Sequence, residues 1–543
     1  MRIENEKILL ISIDNPSAKV DIFIGFRKII VTFSVILRIY NYQFSIHPLE
    51  VQDLLKQYAA HPQVAALNTL LKNKTSRNIF LKGLNGSGAA MTIASLFSKR
   101  RGSYVCVLND LEDAGYFYHD LVQLTGGDGI YFFPSAYRRA IKYGHVDPAN
   151  EILRTEVLST LQDPTAPFII VTYPEALAEK VISREVLKEN TLKISVGERL
   201  DNMFVSDVLD EYGFEQVDYV YEPGQYAMRG SILDVFSFSY EFPYRIDFFG
   251  NEVETIRSFD VETQLSKEKL DSIYIVPEMT KGNRTNSSLL DSLPSETLLA
   301  SKDMAWVKER IGSIWNEEPI IGDEESFANI EQLRAKLITG EDFLHAALGF
   351  CRLHFGTRPM EVADATLTFS MEAQPIYHKN FDLVSESFHK YLEDGYTLYI
   401  LSDVEKQATR IRAIFEDRGD DIPFTSVNKT IHEGFADETL RVCLFTDHQL
   451  FDRFHKFNLK SDKARSGKLS LSLKELNQFT TGDYIVHIDH GVGQFGGLVR
   501  TEVNGKMQEA IRLIYQNNDI IFVSIHSLHK LSKYKGKDSG EPP

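Results

Sequence analysis

The sequence predicts a multidomain α/β protein: a parallel-sheet domain, an α+β module built around a hairpin, a small α/β unit and a C-terminal β-barrel of the SH3 or Tudor kind. Three observations carry this. Strand-like apolar runs alternate with helical ones from residue 78 to residue 171, the pattern of a parallel sheet covered on both faces. Two alternating runs, 244–249 and 252–256, flank Gly250-Asn251. That is a β-hairpin, because Gly supplies the positive φ that a two-residue loop demands. After residue 482, short alternating strands separated by glycine turns fit a small barrel.

Composition sets the outer limits. A chain of 543 residues, 43% hydrophobic and 25% charged, holds several packed domains. Its net charge of −17 argues against broad DNA binding, which needs a basic footprint. Cys106, Cys351 and Cys443 are far apart, which excludes a disulfide framework or a Cys-rich zinc site and fits a reducing cytoplasm. His487 and His490 lie three apart in a strand-and-turn run, which is weak as a metal pair, and no metal is expected. Residues 1–46 are an atypical extension, expected as an unstructured arm. Their apolar run 29–37 is too short for a membrane span of ~20 residues, and it lacks the flanks of a signal peptide.

From residue 48 to 71 apolar residues recur at helical spacing, interrupted by Pro62. Strand 78–81 leads into the glycine loop 83–88, and a helix opens at Ala90. Strand, glycine loop, helix is the setting of a phosphate-binding P-loop. Gly83 and Gly88 keep the spacing, but Ala89 stands where Lys should meet the phosphates and Ala90 where a hydroxyl should hold Mg²⁺. A relic loop that keeps only the turn is the expectation. Strands at 104–108, 130–133 and 168–171 and helices at 111–124 and 150–161 follow. Residues 271–330 are polar and read as irregular loops with a few helical turns. Helices 381–392 and 404–416 and strands 396–401 and 440–445 form a small α/β unit, read as a spacer. The basic run 455–479 reads as a solvated linker, although Lys456, Lys460, Lys463, Arg465 and Lys468 offer charges to DNA or a protein.

In the hairpin, a two-residue loop places Phe248 opposite Val253, Ile246 opposite Thr255 and Arg245 opposite Ile256. Period-two alternation then buries Tyr244, Ile246, Phe248, Val253 and Thr255. Arg245, Asp247, Phe249, Glu252, Glu254 and Ile256 face water. Exposed Arg and Phe are typical docking anchors. The bland alternative pairs Arg245 with Glu254 and tucks Phe249 under a neighbour.

PGQYAMRGSILDVF followed by PYRIDFFGNEVETIRSFD resembles the UvrA-binding domain shared by UvrB and the transcription-repair coupling factors. GDYIVHIDHGVGQFGGL, from residue 482, resembles the RNA-polymerase-interacting domain of those factors and of the CarD regulators. The resemblance covers nearly the whole chain after residue 47. It implies a degenerate RecA-like, UvrB-like domain at 47–190 and 276–375, interrupted by an inserted UvrA-binding domain at 191–275. The small α/β domain is then 376–454, the linker 455–479 and the polymerase-interacting domain 480–543. It implies that Arg229, Arg245 and Phe249 contact UvrA. The contact with RNA polymerase, through its β subunit, is expected at the edge strand 498–502, with Leu498, Arg500 and Thr501. ATP and Mg²⁺, and most DNA contact, belong in the family to translocase domains not found in this sequence. The expectation is therefore a monomeric bacterial binding protein with no cofactor of its own, not an enzyme. The alternatives are an ATP-binding protein of the UvrB type, which requires nucleotide at the 83–90 loop, and a CarD-like transcription regulator with an inert UvrA module.

Overall fold

The computed structural model describes residues 19–24, 27–32, 49–136, 148–162, 166–316, 334–453, 455, 457 and 480–534, with short gaps at 239, 241, 262, 278–284, 488–489, 504–505, 516–518 and 525–530. For residues 19–32, 500–509 and some others only the backbone is described. In the N-terminal extension, expected as an unstructured arm, Lys19–Ile24 pairs antiparallel with Arg27–Thr32.

The first domain is a seven-stranded, fully parallel sheet. Edge to edge it runs Ala365–Thr368, Asn78–Lys82, Cys351–His354, Leu298–Ser301, Ser103–Val107, Phe168–Thr172 and Ile130–Phe132. Phe168–Thr172 is buried throughout, as a strand covered on both faces must be. Helix Leu111–Thr125 starts where Asp110 accepts the Asp113 amide at 2.9 Å and stops at Gly126, with φ +87°. The expectation for 271–330 is corrected here. Leu298–Ser301 is a fully buried strand in the middle of the sheet, and Met304–Asn316 is a helix that buries Met304, Val307, Ile311 and Ile314. A four-residue buried strand carries no alternation and so leaves little signal in a polar stretch.

A second domain is inserted between Phe168–Thr172 and Leu298–Ser301. Its ends meet in a neck where Leu192–Ser195 pairs antiparallel with Ser272–Ile275. Between them lies a six-stranded sheet ordered Ser266–Leu270, Glu252–Phe259, Tyr244–Phe249, Ile232–Val235, Gln225–Arg229, Glu215–Gln216. Helix Asn202–Glu211 covers one face, where Val205 and Leu209 pack with Leu233, Ile246, Phe248 and Val253. The hairpin turns at Gly250-Asn251 as expected, with Phe249 opposite Glu252 and Phe248 opposite Val253. Beyond that the expected register fails. A bulge skips Glu254, so Asp247 faces Thr255, Ile246 faces Ile256 and Arg245 faces Arg257. The bulge turns Ile256 into the core at 1% exposure, and Thr255, only half-buried, donates to Asp247 at 2.6 Å. Burying an isoleucine rather than a threonine is the physical gain.

The small α/β domain has a five-stranded mixed sheet, Met371–Ala373, Phe435–Asp437, Val442–Thr446, Thr397–Leu401, Thr425–Val427, with its own core. It docks on helix Leu111–Thr125 through a cluster of rings, stacked and edge-to-face. His432 lies 3.5 Å from Tyr116, His448 lies 4.3 Å from His455, and His119 lies 5.1 Å from His455. The start of the expected linker takes part: the Phe457 ring packs against Gly115, where a Cβ would come within 2.3 Å of it. The basic residues 456, 460, 463, 465 and 468 of that run lie outside the described residues.

Burial pushes His455 down to about 3 and His432 down to about 4, and nearby histidines reinforce both shifts. These folded values lie below the unfolded value of ~6.5, so the junction is fully stable above that pH and loses stability as pH falls toward 4. Asp120, which accepts the His432 amide at 2.7 Å, is pushed up to about 7 by burial. Its contribution has the opposite sign, being lost as pH rises through 7, but it is one carboxylate against several imidazoles. The melting temperature of the parallel-sheet and small α/β domains is expected to fall between pH 7 and pH 5. In His455→Phe that fall should be smaller, read by thermal unfolding at both pH values.

The C-terminal unit is an antiparallel five-stranded sheet, ordered Ile520–Ser524, Lys506–Ile514, Gly491–Val503, Tyr484–His487, Leu531–Lys533, around Ile485, Phe495, Ile511 and Leu513. Among the described residues the two outer strands do not pair with each other, so the closure expected of a barrel is not seen there. No helix among the described residues is long and apolar enough to cross a membrane.

Candidate partner-binding surfaces

The face of the inserted sheet opposite helix Asn202–Glu211 is organised by one carboxylate. Asp234 sits in the apolar run ILDVF, and its side chain is only 1% exposed. A carboxylate so placed must be paired. Cross-strand register brings Arg245 directly opposite it. Arg245 donates through Nε to Oδ1 at 2.7 Å and through Nη2 to Oδ2 at 2.8 Å, a two-pronged clamp. Arg229, on the neighbouring strand, reaches Oδ2 as well and donates to the Asp218 carbonyl at 2.9 Å. The Arg245 guanidinium also lies 4.3 Å over the Phe259 ring, and that of Arg229 lies 4.9 Å over Tyr219. Hydrogen bonding to Asp234 raises Arg245 above its ordinary range. One strand row further, Asp247 holds Arg257 and Thr255.

This places the three predicted contact residues on one face but not in one condition. Phe249 is 79% exposed at the hairpin turn, and the reading that tucks it under a neighbour is excluded. Arg245, expected in water, is a correction: its side chain is 17% exposed, and its partner is Asp234, not Glu254. Arg229 stands between, at 34%. Asp234 escaped the sequence reading. A lone acidic residue between the core-facing Leu233 and Val235 of an apolar strand was the available signal.

The turn end of the module carries more apolar surface. Leu200 donates its amide to the Asn251 carbonyl at 2.8 Å, which ties the start of helix Asn202–Glu211 to the hairpin turn. Met203 and Phe204, 72% and 52% exposed, therefore lie at the same end of the domain as Phe249.

The glycine loop is filled by protein. Helix Gly88–Lys99 begins at the loop, and the Ser87 amide donates to the Glu433 carbonyl at 3.0 Å while Ser87 Oγ accepts the Glu433 amide at 3.0 Å. A Cβ at Gly86 (φ +52°) would lie 2.7 Å from the Gly434 carbonyl oxygen, and one at Gly88 2.5 Å from Met371 Sδ. At Gly83 (φ +84°) it would meet the Phe369 carbonyl oxygen at 2.2 Å. Chain from the small domain occupies the ground a phosphate would need, and the glycines serve that close approach. Ala90 is buried and Ala89 half-buried, and neither supplies a charge or a hydroxyl.

In the last unit, strand Gly491–Val503 pairs with Tyr484–His487 only through Gly491 to Gln494. From Leu498 onward it has a partner on one side alone among the described residues, Lys506–Ile514. Leu498 is 46% exposed on that free-edged stretch. Arg500 and Thr501 pair with Glu509 and Gln508, and their side chains lie outside the described residues.

Residues 192–280 match the model of the UvrB interaction domain, and residues 479–535 that of the CarD-like/TRCF RID domain. The chain is 22% identical over 547 residues to the transcription-repair-coupling factor of Bacillus subtilis (strain 168), covering 85% of this chain and 45% of that protein. It is likewise 22% identical over 547 residues to that of Staphylococcus aureus (strain bovine RF122 / ET3-1), covering 86% of this chain and 46% of the relative. The chain thus spans about half the length of the curated relatives it matches. It carries both of these domains and is similar to the transcription-repair-coupling factors along most of its length.

Proposed function

We propose that this chain is the gripping region of a transcription-repair coupling factor, binding UvrA through the inserted domain and RNA polymerase through the C-terminal sheet. Phe249, exposed on the same sheet face as the arginines fixed by Asp234 within a UvrB interaction domain, carries the reading. An exposed aromatic next to cationic groups is the usual make-up of a binding anchor. The polymerase contact is assigned to the free-edged stretch at Leu498, Arg500 and Thr501, where a strand with unpaired backbone groups can accept a partner strand. The β subunit of polymerase is the intended partner. The working form is a monomer in the bacterial cytoplasm. ATP-driven movement on DNA belongs to parts of the relatives that this chain does not span. The double variant Arg245→Ala, Phe249→Ala should lose UvrA in a titration while binding polymerase β as before; unchanged UvrA affinity overturns the assignment.

The 83–90 loop has no nucleotide role in this reading. Glu433, Gly434 and Met371 fill it, so restoring the missing chemistry alone is not enough. Ala89→Lys with Ala90→Thr is expected to leave Mg-ATP affinity at the wild-type level by calorimetric titration. A gain of tenfold or more would show that the loop is still open to phosphate.

A further inference from the structure

The parallel-sheet domain has a second concavity, at the opposite end of the strands from the glycine loop. It opens where strands Asn78–Lys82, Ser103–Val107, Leu298–Ser301 and Cys351–His354 begin, and its volume is about 460 Å³. That is the size of an ordinary small-molecule site. Its walls carry Lys74, Arg77, Arg100 and Arg101 and a single carboxylate, Glu296. Lys74 takes that carboxylate, at 3.1 Å.

The three guanidiniums have no carboxylate partner among the described residues. Arg77 donates to the Gly349 carbonyl, Arg101 lies 4.9 Å over the Phe97 ring, and the Tyr104 hydroxyl donates to the Arg100 carbonyl at 2.7 Å, which fixes the turn bearing both Arg100 and Arg101. Arg77 and Arg100 converge on the half-buried Cys351 thiol: burial raises it, and both arginines act on the same sulfur in the opposite sense. Like charges gathered in a concavity repel one another unless an anion joins them. Asp364 lies nearby, but its carboxylate is taken by the Arg77 and Asn78 backbone amides at 2.8 and 2.9 Å, and Glu296 is the one carboxylate in the cleft lining.

Guanidinium forks match phosphate oxygens two at a time. The apolar part of the wall, from Leu71, Tyr104 and Leu298, suits the organic part of an ester. A long nucleic acid is disfavoured, because its phosphates beyond the cleft would meet a protein of net charge −17. We propose that this cleft binds a nucleotide-sized phosphate ester, held by Arg77, Arg100 and Arg101. The site is separate from the glycine loop and from both partner-binding surfaces.

The test is a calorimetric titration of the full chain with ADP, with inorganic pyrophosphate and with a short DNA duplex, at low and at physiological salt. ADP is expected to bind saturably, more tightly than pyrophosphate, and to weaken with salt. Arg100→Ala with Arg101→Ala should lower ADP affinity at least tenfold while leaving the melting temperature and UvrA binding unchanged. Arg77→Gln serves as a second variant and should weaken ADP several-fold. No saturable ADP binding, ADP binding indifferent to both variants, or binding of the duplex alone would each overturn the proposal.

Discussion

Asp234→Asn is expected to lower the stability of the inserted domain by about 3–5 kcal/mol, the cost of breaking a buried ion pair from one side. The substitution keeps the shape and removes the charge. Arg245, 17% exposed and clamped at both prongs, is left with a neutral amide, and Arg229 loses its anchor on the neighbouring strand. Chemical denaturation of residues 185–290, whose ends meet in the neck strands, measures this directly. Partner affinity should fall with it, because both guanidiniums lose their fixed direction. Asp234→Glu, one methylene longer but charged, should recover part of each loss. If Asp234→Asn unfolds at the wild-type denaturant concentration, the carboxylate does not hold the face together.

Phe249→Ala is expected to do the reverse: a large loss of binding with no loss of stability. The side chain is 79% exposed, so its removal uncovers no core. At a binding anchor the truncation costs at least about 2 kcal/mol, roughly a thirtyfold weaker complex with UvrA. A titration gives the affinity and a melting curve gives the control. Equal affinity in the variant would move the contact away from the hairpin turn, toward Met203 and Phe204. The two variants thus separate a residue that meets the partner from one that positions those that do.

Much of this surface was legible in the sequence, and the rest was hidden for identifiable reasons. Gly250-Asn251 between two alternating runs gave the hairpin and put Phe249 on the open face. The bulge at Glu254 could not be read, because period-two counting assumes an unbroken ladder, and one skipped residue exchanges Thr255 for Ile256 in the core. Arg245 was placed on the correct face but in the wrong surroundings. Its partner lies eleven residues away on another strand, and only the sheet register brings Asp234 opposite. The alanines at 89 and 90 were legible as positions without the charge and hydroxyl of a phosphate loop. That Glu433 and Gly434 fill it depends on a contact across some 346 residues, for which local pattern holds no signal. Leu298–Ser301 was missed because four buried residues amid polar sequence carry neither period.

The neck of the inserted domain has a mechanical consequence. Leu192–Ser195 leads out of the parallel-sheet body and Ser272–Ile275 leads back into it, side by side. A pull on the domain, as from a bound scaffold being dragged, therefore runs along two polypeptide tethers at once. The tension is divided between covalent backbones and does not shear the rungs joining them. A cargo can be hauled by this arm without unzipping it.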